Sequence, residues 1–130
     1  MVIIDTSVWI EYLRGNDTPE TRWLLQELQQ QRLGLTTLIL CEVLQGTQDS
    51  AFGRVRSELQ KLVVFSDCTD HLAVAAAQNY RKLRRRGYTV RATIDCLIAT
   101  FCLENRHSLL HRDHDFDAFE QALGLRVVHP

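Results

Sequence analysis

Short runs of apolar residues alternate along this chain with longer segments in which apolar residues recur every three or four positions. An unbroken apolar run indicates a strand buried on both faces, and the longer spacing indicates a helix with one buried face. Strands are predicted at 2–4, 33–36, 62–65, 108–111 and 125–128. Helices are predicted at 7–14, from 18 onward, at 38–47, 49–60 and 70–86, from 93 onward, and in a short segment ending at 123.

Strands that alternate with helices favour a parallel sheet covered by helices on both faces. The expected fold class is therefore α/β, with a central parallel sheet of about five strands. The chain has 130 residues and shows no linker, repeat or low-complexity segment. This length is typical of one domain, so residues 1–130 are expected to form a single domain.

Several residues predict where helices begin and which faces they bury. Thr37 is the expected N-cap of the helix at 38–47. In the helix at 70–86, the spacing predicts that Ala73 and Tyr80 face the core together with their apolar neighbours. Trp9 and Trp23 are predicted to be packing residues, although the two helices that carry them could also form a docking surface for another chain.

Composition narrows the class of protein without identifying a partner. Hydrophobic residues make up 45% of the chain and charged residues 24%, which is typical of soluble globular proteins. The net charge of -1 gives no overall signal for nucleic acid or membrane. No apolar run reaches the roughly 20 residues of a membrane helix, and no signal peptide is evident, so a cytoplasmic location is expected.

The four cysteines show no metal-binding spacing. Cys41, Cys68, Cys96 and Cys102 include no CxxC pair, which argues against a zinc ribbon. We expect them to be small buried residues in a reducing compartment rather than disulfide partners.

Five acids occupy positions that suit ligand binding. Asp5 follows the first strand directly, and ligands of parallel sheets bind at the carboxyl ends of the strands. Asp5 could equally serve only as a helix cap. Glu42 and Asp95 lie at the edges of apolar helix faces, and Asp113 and Asp115 follow the strand at 108–111. If the sheet is parallel, all five can converge at one edge.

Converging carboxylates require a positive partner. Two carboxylates about 4 Å apart repel each other by roughly 4 kcal/mol at an effective dielectric constant near 20. The cluster must therefore take up protons or bind a cation, and Mg²⁺ or Mn²⁺ suits carboxylate oxygens. Such an ion can lower the pKa of a water molecule and offset charge on a phosphodiester undergoing hydrolysis. Thr6 and Ser7 could support a carboxylate or a water molecule by hydrogen bonding.

A second group of candidate residues is basic. Six cations lie within the eleven residues 81–91, which is more than is needed to complement a helix dipole. Contact with a phosphate backbone is the alternative. The candidates for such contact in this region and in the acidic segment after residue 110 are Arg84, Arg85, Arg86, Arg91 and Arg112.

Four short segments, taken together, resemble the motifs of PIN-domain ribonucleases, and more narrowly those of VapC toxins. They are Ile3-Ile4-Asp5-Thr6-Ser7, Glu42-Val43-Leu44-Gln45-Gly46, Asp95-Cys96-Leu97-Ile98-Ala99 and His111-Arg112-Asp113-His114-Asp115-Phe116. The resemblance spans nearly the whole chain. It implies a three-layer α/β/α fold, Mg²⁺- or Mn²⁺-dependent RNA cleavage, inhibition by a cognate antitoxin, and a homodimer.

The resemblance also implies roles for individual residues. Asp5, Glu42, Asp95 and Asp113 match the family's acidic set, and Asp115 matches an acid present in many members as a ligand or a support. Thr6 or Ser7 matches the hydroxyl position after the first acid. His111 departs from the family, which often has Thr or Ser there.

Other classes of function remain open at this point. A phosphatase with Asp5 as nucleophile is one, although Ser7 stands where haloacid-dehalogenase-like enzymes have a second Asp. A catalytically silent docking domain is another. A zinc-dependent or histidine-assisted hydrolase using His111 and His114 is a third. His71, His107 and His129 are expected at the surface.

Overall fold

A computed structural model describes all 130 residues and has a parallel sheet at its centre. The strands are β1 (Val2–Ile4), β2 (Leu33–Thr36), β3 (Val63–Phe65) and β4 (Ser108–Leu110). Their order in the sheet is β3-β2-β1-β4, and every pairing is parallel. The first strand of the chain therefore lies in the interior of the sheet, where both faces are covered.

Helices follow the strands and cover the sheet, as the alternating pattern predicts. They are α1 (Thr6–Leu13), α2 (Pro19–Glu27), α3 (Thr37–Gln45), α4 (Asp49–Gln60), α5 (Asp70–Arg85), α6 (Thr93–Asn105) and α7 (Asp117–Leu123). A 3₁₀ turn at His114–Phe116 connects β4 to α7. The predicted α/β class is confirmed.

The predicted fifth strand at 125–128 is wrong, because the sheet has four strands. Only Val127 makes a bridge, to Leu109 of β4. The backbone N–H of Leu125 is bonded to the carbonyl oxygen of Phe119 within α7, so it is not available to a neighbouring strand. The segment therefore contributes one bridge instead of a strand.

The core is continuous from the first strand to the segment after the last helix. It contains 26 buried hydrophobic residues, among which Ile3, Ile4 and Phe116 are fully buried. Gly34 of β2 lies opposite Ile3 of β1, and a Cβ added at Gly34 would lie 3.0 Å from the Phe65 ring. Glycine at this position therefore permits close packing beneath the sheet.

Three predictions about caps and buried faces need correction. Thr36 is the N-cap of α3, accepting a hydrogen bond from the backbone N–H of Ile39, since β2 runs into α3 without a loop. Ala73 and Tyr80 of α5 are exposed, because the buried stripe of this helix follows Leu72, Ala76 and Leu83.

All four cysteines are free, but two of them are not buried. Cys96 and Cys102 are buried as expected, whereas Cys41 and Cys68 are exposed. None of the helices has both the length and the apolar character that a bilayer crossing demands.

Candidate metal centre

Asp5 is the N-cap of α1 and also one of the five acids of the predicted acidic cluster, which are Asp5, Glu42, Asp95, Asp113 and Asp115. Its backbone N–H donates to Leu110 O at 3.0 Å, which fixes the residue beside the end of β4. Its carboxylate oxygen Oδ2 accepts bonds from the backbone N–H of Ser7 at 3.0 Å and from Ser7 Oγ at 2.6 Å. The other oxygen, Oδ1, is buried and has no hydrogen-bond partner. The cap therefore leaves one carboxylate oxygen available for a ligand.

Glu42 is held next to this strand end by α1. Thr6 Oγ1 donates a bond of 2.8 Å to Glu42 Oε1, joining the first turn of α1 to the middle of α3. The side chain of Glu42 is half-buried, in agreement with its predicted position at the margin of an apolar face. Glu42 thus faces the strand end with one oxygen restrained.

The remaining acids come from the first turn of α6 and the turn after β4. Asp95 is 9% exposed. Asp113 caps the 3₁₀ turn, and its Oδ1 accepts a bond of 2.9 Å from the backbone N–H of Asp115. One carboxylate oxygen from each of these three aspartates lies within 4.8 Å of the others. Asp5 and Glu42 are not part of this tight triad, although their charges act on it.

Burial and mutual repulsion shift two of these carboxyls. Burial, followed by the negative charges of Asp5, Asp113, Glu42 and Asp115, raises the pKa of Asp95 to about 7. Burial also raises the pKa of Asp5 to about 6, with Glu42 adding to the increase and the Ser7 hydrogen bonds opposing it. The cluster therefore retains protons near neutral pH unless a cation replaces them.

The residues fit a hard divalent cation. The triad offers only carboxylate oxygens, and the buried Asp5 Oδ1 nearby has no hydrogen-bond partner. Oxygen-only ligand sets suit Mg²⁺ or Mn²⁺ better than zinc. No histidine belongs to the triad, and His114 is fully exposed beside Asp117. The zinc-dependent alternative therefore finds no support in the geometry.

Two contacts around the cluster were not predicted from the sequence. Ser7 Oγ, besides donating to Asp5, accepts a bond of 2.9 Å from the backbone N–H of Arg112. His111 Nδ1 accepts a bond of 3.1 Å from the backbone N–H of Asp113. The two-residue spacing of His111 and Asp113 was the available signal, because Asn and Asp side chains accept the N–H two positions later in turns. Nδ1 of histidine is as many bonds from the backbone as Oδ1 of aspartate, so it can accept in the same way. The Ser7 contact spans 105 positions and has no such signal.

The arginines predicted to bind RNA differ in whether they already contact other groups of the protein. Arg84, Arg85 and Arg91 are exposed and form no ion pair. Arg86 donates to Ala122 O at 2.8 Å, and Arg112 lies 3.4 Å from the carboxylate of Glu20. The first three are therefore free to meet an external anion, whereas the other two also have contacts within the fold.

His107 is not the surface residue that the sequence predicts. Its ring lies against Phe65 and Phe101, with centroid separations of 5.1 Å and 5.6 Å. Burial lowers its pKa, so the ring favours the neutral form. His71 and His129 are exposed as expected.

The fold and the site define a class: α/β proteins with an acidic, cation-accepting centre at the carboxyl ends of a parallel sheet. The PIN domain family matches residues 2–121. A VapC ribonuclease of Mycobacterium bovis and Ribonuclease VapC11 of Mycobacterium tuberculosis are each 36% identical over 135 residues, covering 98% of both chains. This chain belongs to the PIN domain family and is a VapC-type member of it.

Solved structures show the same fold. VapBC2 from Rickettsia felis, bound to a DNA fragment from its promoter, matches with a TM-score of 0.75 and 13% identity over 98% of each chain. A toxin–antitoxin complex from Klebsiella pneumoniae also gives a TM-score of 0.75, at 18% identity, covering 100% of this chain and 98% of that one.

Proposed function

We propose that this protein is a divalent-metal-dependent endoribonuclease and the toxin of a type II toxin–antitoxin pair. The observation that carries the proposal is the meeting of Asp95, Asp113 and Asp115 within 4.8 Å, beside the buried, unpartnered oxygen of Asp5. The relatives named as VapC ribonucleases support the substrate class. We take residues 1–130 as one nuclease domain.

The proposed ligands of the cation are Asp5, Asp95, Asp113 and Asp115. Mg²⁺ or Mn²⁺, when bound, would offset charge on the scissile phosphodiester and lower the pKa of a water molecule. Asp95 and Asp5 must lose their protons for the site to load, and the raised pKa values place that loss at about pH 6 to 7.

Glu42 is proposed to handle the proton of the attacking water. It lies outside the tight triad, yet its charge contributes to the raised pKa of Asp95, so it is close to the reacting region. Thr6 restrains Oε1, which leaves Oε2 free to accept a proton. A carboxylate held in this way acts as a general base when it lies within hydrogen-bonding reach of the water.

An antitoxin is the proposed protein partner, and a groove beside α1 that is lined by apolar and polar residues supports it. Cavities of about 510 Å³ and 350 Å³ share Leu13, Arg54 and Val55 in their walls. Leu13 is 44% exposed, and Leu25 on the neighbouring α2 is 63% exposed. Neighbours in fold include toxin–antitoxin complexes, and we propose that an antitoxin segment covers this groove. We further propose that the toxin is a cytoplasmic homodimer.

The direct test is RNA cleavage by the purified chain. We expect cleavage with Mg²⁺ or Mn²⁺, none with EDTA, and none by Asp95→Asn that still folds. Asp49→Asn is the matched control, because Asp49 is exposed in the first turn of α4 and should tolerate the same change.

The same assay separates the other functions. Hydrolysis of small phosphomonoesters without RNA cleavage would indicate the Asp5-dependent phosphatase instead. If the Asp95→Asn variant cleaves no RNA but keeps the effect of the wild-type chain on cells, the protein would be a docking domain. Either result would contradict the ribonuclease proposal.

A further inference from the structure

Three short turns of the same kind surround the acidic cluster. In each, a side chain accepts the backbone N–H two residues later: Asp5 from Ser7 at 3.0 Å, Asp113 from Asp115 at 2.9 Å, and His111 from Asp113 at 3.1 Å. Two of the acceptors are carboxylates of the cluster itself. The third acceptor is a ring nitrogen of His111, which is not one of the acids. Its role therefore depends on Asp113, the residue whose N–H it accepts.

The bond from Asp113 fixes the tautomer of His111. Nδ1 accepts a proton-bearing donor, so the neutral ring must carry its own proton on Nε2. Nε2 is buried and has no partner, so the second nitrogen gains nothing from this orientation. A buried polar atom without a partner costs free energy, and the contact to Asp113 is the hydrogen bond that this orientation of the ring gains in return.

Packing holds the ring in this orientation. The His111 and Phe116 rings lie with centroids 4.9 Å apart, and Phe116 is fully buried. Leu110, immediately before His111, is also fully buried and ends β4. The imidazole is therefore fixed between the strand end and the core, with Nδ1 directed at the backbone of Asp113.

We propose that His111 is a positioning residue whose Nδ1 fixes the backbone of Asp113 and, through the next turn, the carboxylates of Asp113 and Asp115 for the cation. The inference rests on the proposed metal-dependent function. It accounts for the departure at this position, since a Thr or Ser hydroxyl can accept the same N–H two residues later. Histidine performs the task with a ring that also packs on Phe116.

Two substitutions separate the hydrogen bond from the packing. His111→Phe keeps an aromatic ring for Phe116 and removes the acceptor. His111→Asn keeps an acceptor for the N–H two residues later, as Asn does in turns, and removes the ring. A purely structural role predicts that metal affinity follows thermal stability. A positioning role predicts opposite rankings: His111→Phe is the more stable variant, and His111→Asn binds the metal more tightly.

The experiment measures Mn²⁺ affinity by calorimetry and melting temperature in EDTA for the wild-type chain and both variants. We expect His111→Phe to melt close to the wild type and to bind Mn²⁺ at least about tenfold more weakly, the usual effect of removing a hydrogen bond that orients a metal ligand. We expect His111→Asn to melt lower and to bind Mn²⁺ within about twofold of the wild type. Equal affinity in His111→Phe and the wild type would overturn the inference.

An NMR measurement on the metal-free protein keeps this inference separate from the proposed function. We expect the His111 ring nitrogens to show a proton on Nε2, and the Asp113 amide to exchange faster in His111→Phe than in His111→Asn. A proton on Nδ1 would overturn the inference whatever the metal does. Failure of the wild type to bind Mn²⁺, with the expected NMR result, would contradict the proposed metal centre alone.

Discussion

Thr6 Oγ1 donates a hydrogen bond of 2.8 Å to Oε1 of Glu42, across 36 positions of sequence. The bond joins the first turn of α1 to α3 beside the end of the central strand. Removing the hydroxyl should free the carboxylate without disturbing the core, because valine keeps the shape of threonine.

We therefore expect Thr6→Val to lower the rate of RNA cleavage by about tenfold or more, the usual effect of removing an orienting hydrogen bond. Thr6→Ser retains the hydroxyl and should keep most of the activity. The rate constant at saturating RNA and metal is the measurement. Equal rates for the valine and serine variants would show that the bond has no part in catalysis.

The free energy of unfolding of the metal-free protein should fall as pH rises through the range in which Asp5 and Asp95 titrate. Carboxyl groups with lowered pKa values in the folded state have the opposite effect. Asp5 and Asp95 have pKa values raised to about 6 and about 7, whereas an unfolded Asp has a pKa of about 3.9. Between these values the folded chain binds more protons than the unfolded chain, so the free energy of unfolding falls as pH rises.

In EDTA, we expect the melting temperature of the protein to fall as the pH is raised from about 5 to about 8, because these two groups lose their protons. Mg²⁺ added at the higher pH should restore stability, because the cation replaces the released protons. A variant with both Asp5→Asn and Asp95→Asn is the control and should show a flatter profile. A melting temperature that rises across this range in the wild type would contradict the prediction.

Asp5→Asn should abolish cleavage and yet stabilise the metal-free chain above neutral pH. The substitution removes a buried charge, and the amide oxygen can still accept both bonds from Ser7. We expect a gain of about 1 kcal/mol or more in the free energy of unfolding at alkaline pH, the equivalent of one pKa unit. Denaturant titration in EDTA measures it. A decrease in stability would indicate that the charge itself has a partner.

Asp67 should matter for stability although it belongs to no acidic cluster. This fully buried carboxylate accepts bonds from Thr37 Oγ1 at 2.9 Å and from the backbone N–H of Leu38 at 3.2 Å. Asp67→Ala removes the acceptor of the half-buried Leu38 N–H and of the Thr37 hydroxyl, which is exposed and can turn to water. We therefore expect a loss of about 1 kcal/mol or more in the free energy of unfolding, mainly from the Leu38 N–H. Asp70→Ala, an exposed change nearby, is the control, and equal decreases in stability would contradict a specific role.

The exposed arginines at the end of α5 should contribute to RNA affinity through charge. Replacing Arg84 and Arg85 with alanine should weaken binding and flatten its salt dependence, by about 0.7 in the logarithmic slope for each phosphate that is no longer neutralised. Arg32→Ala is the matched control, because Arg32 is exposed before β2, at the opposite edge of the sheet from the acids. The measurement is RNA binding over a range of salt concentrations, with every variant made in the inactive Asp95→Asn background. An unchanged slope would show that Arg84 and Arg85 do not contact the RNA backbone.

The sequence alone determined the elements and the residue types of the site. Apolar runs and helical spacing depend only on local order, so strands β1 to β4 and those helix ends that were predicted lie within one or two residues of prediction. The segment at 125–128 was mistaken because an apolar pattern does not show whether a backbone amide is already bonded elsewhere, as that of Leu125 is. Asp5, Asp95 and Asp113 were identifiable because each lies next to a predicted element end.

Only the tertiary structure decided how these acids meet. Distances between residues far apart in sequence depend on strand order and helix packing, so nothing local separates the triad of Asp95, Asp113 and Asp115 from the neighbouring Asp5 and Glu42. The raised pKa of Asp95 has the same origin, since burial and the charges of distant segments produce it. The chain order supplied the acids, and folding alone brought their charges together.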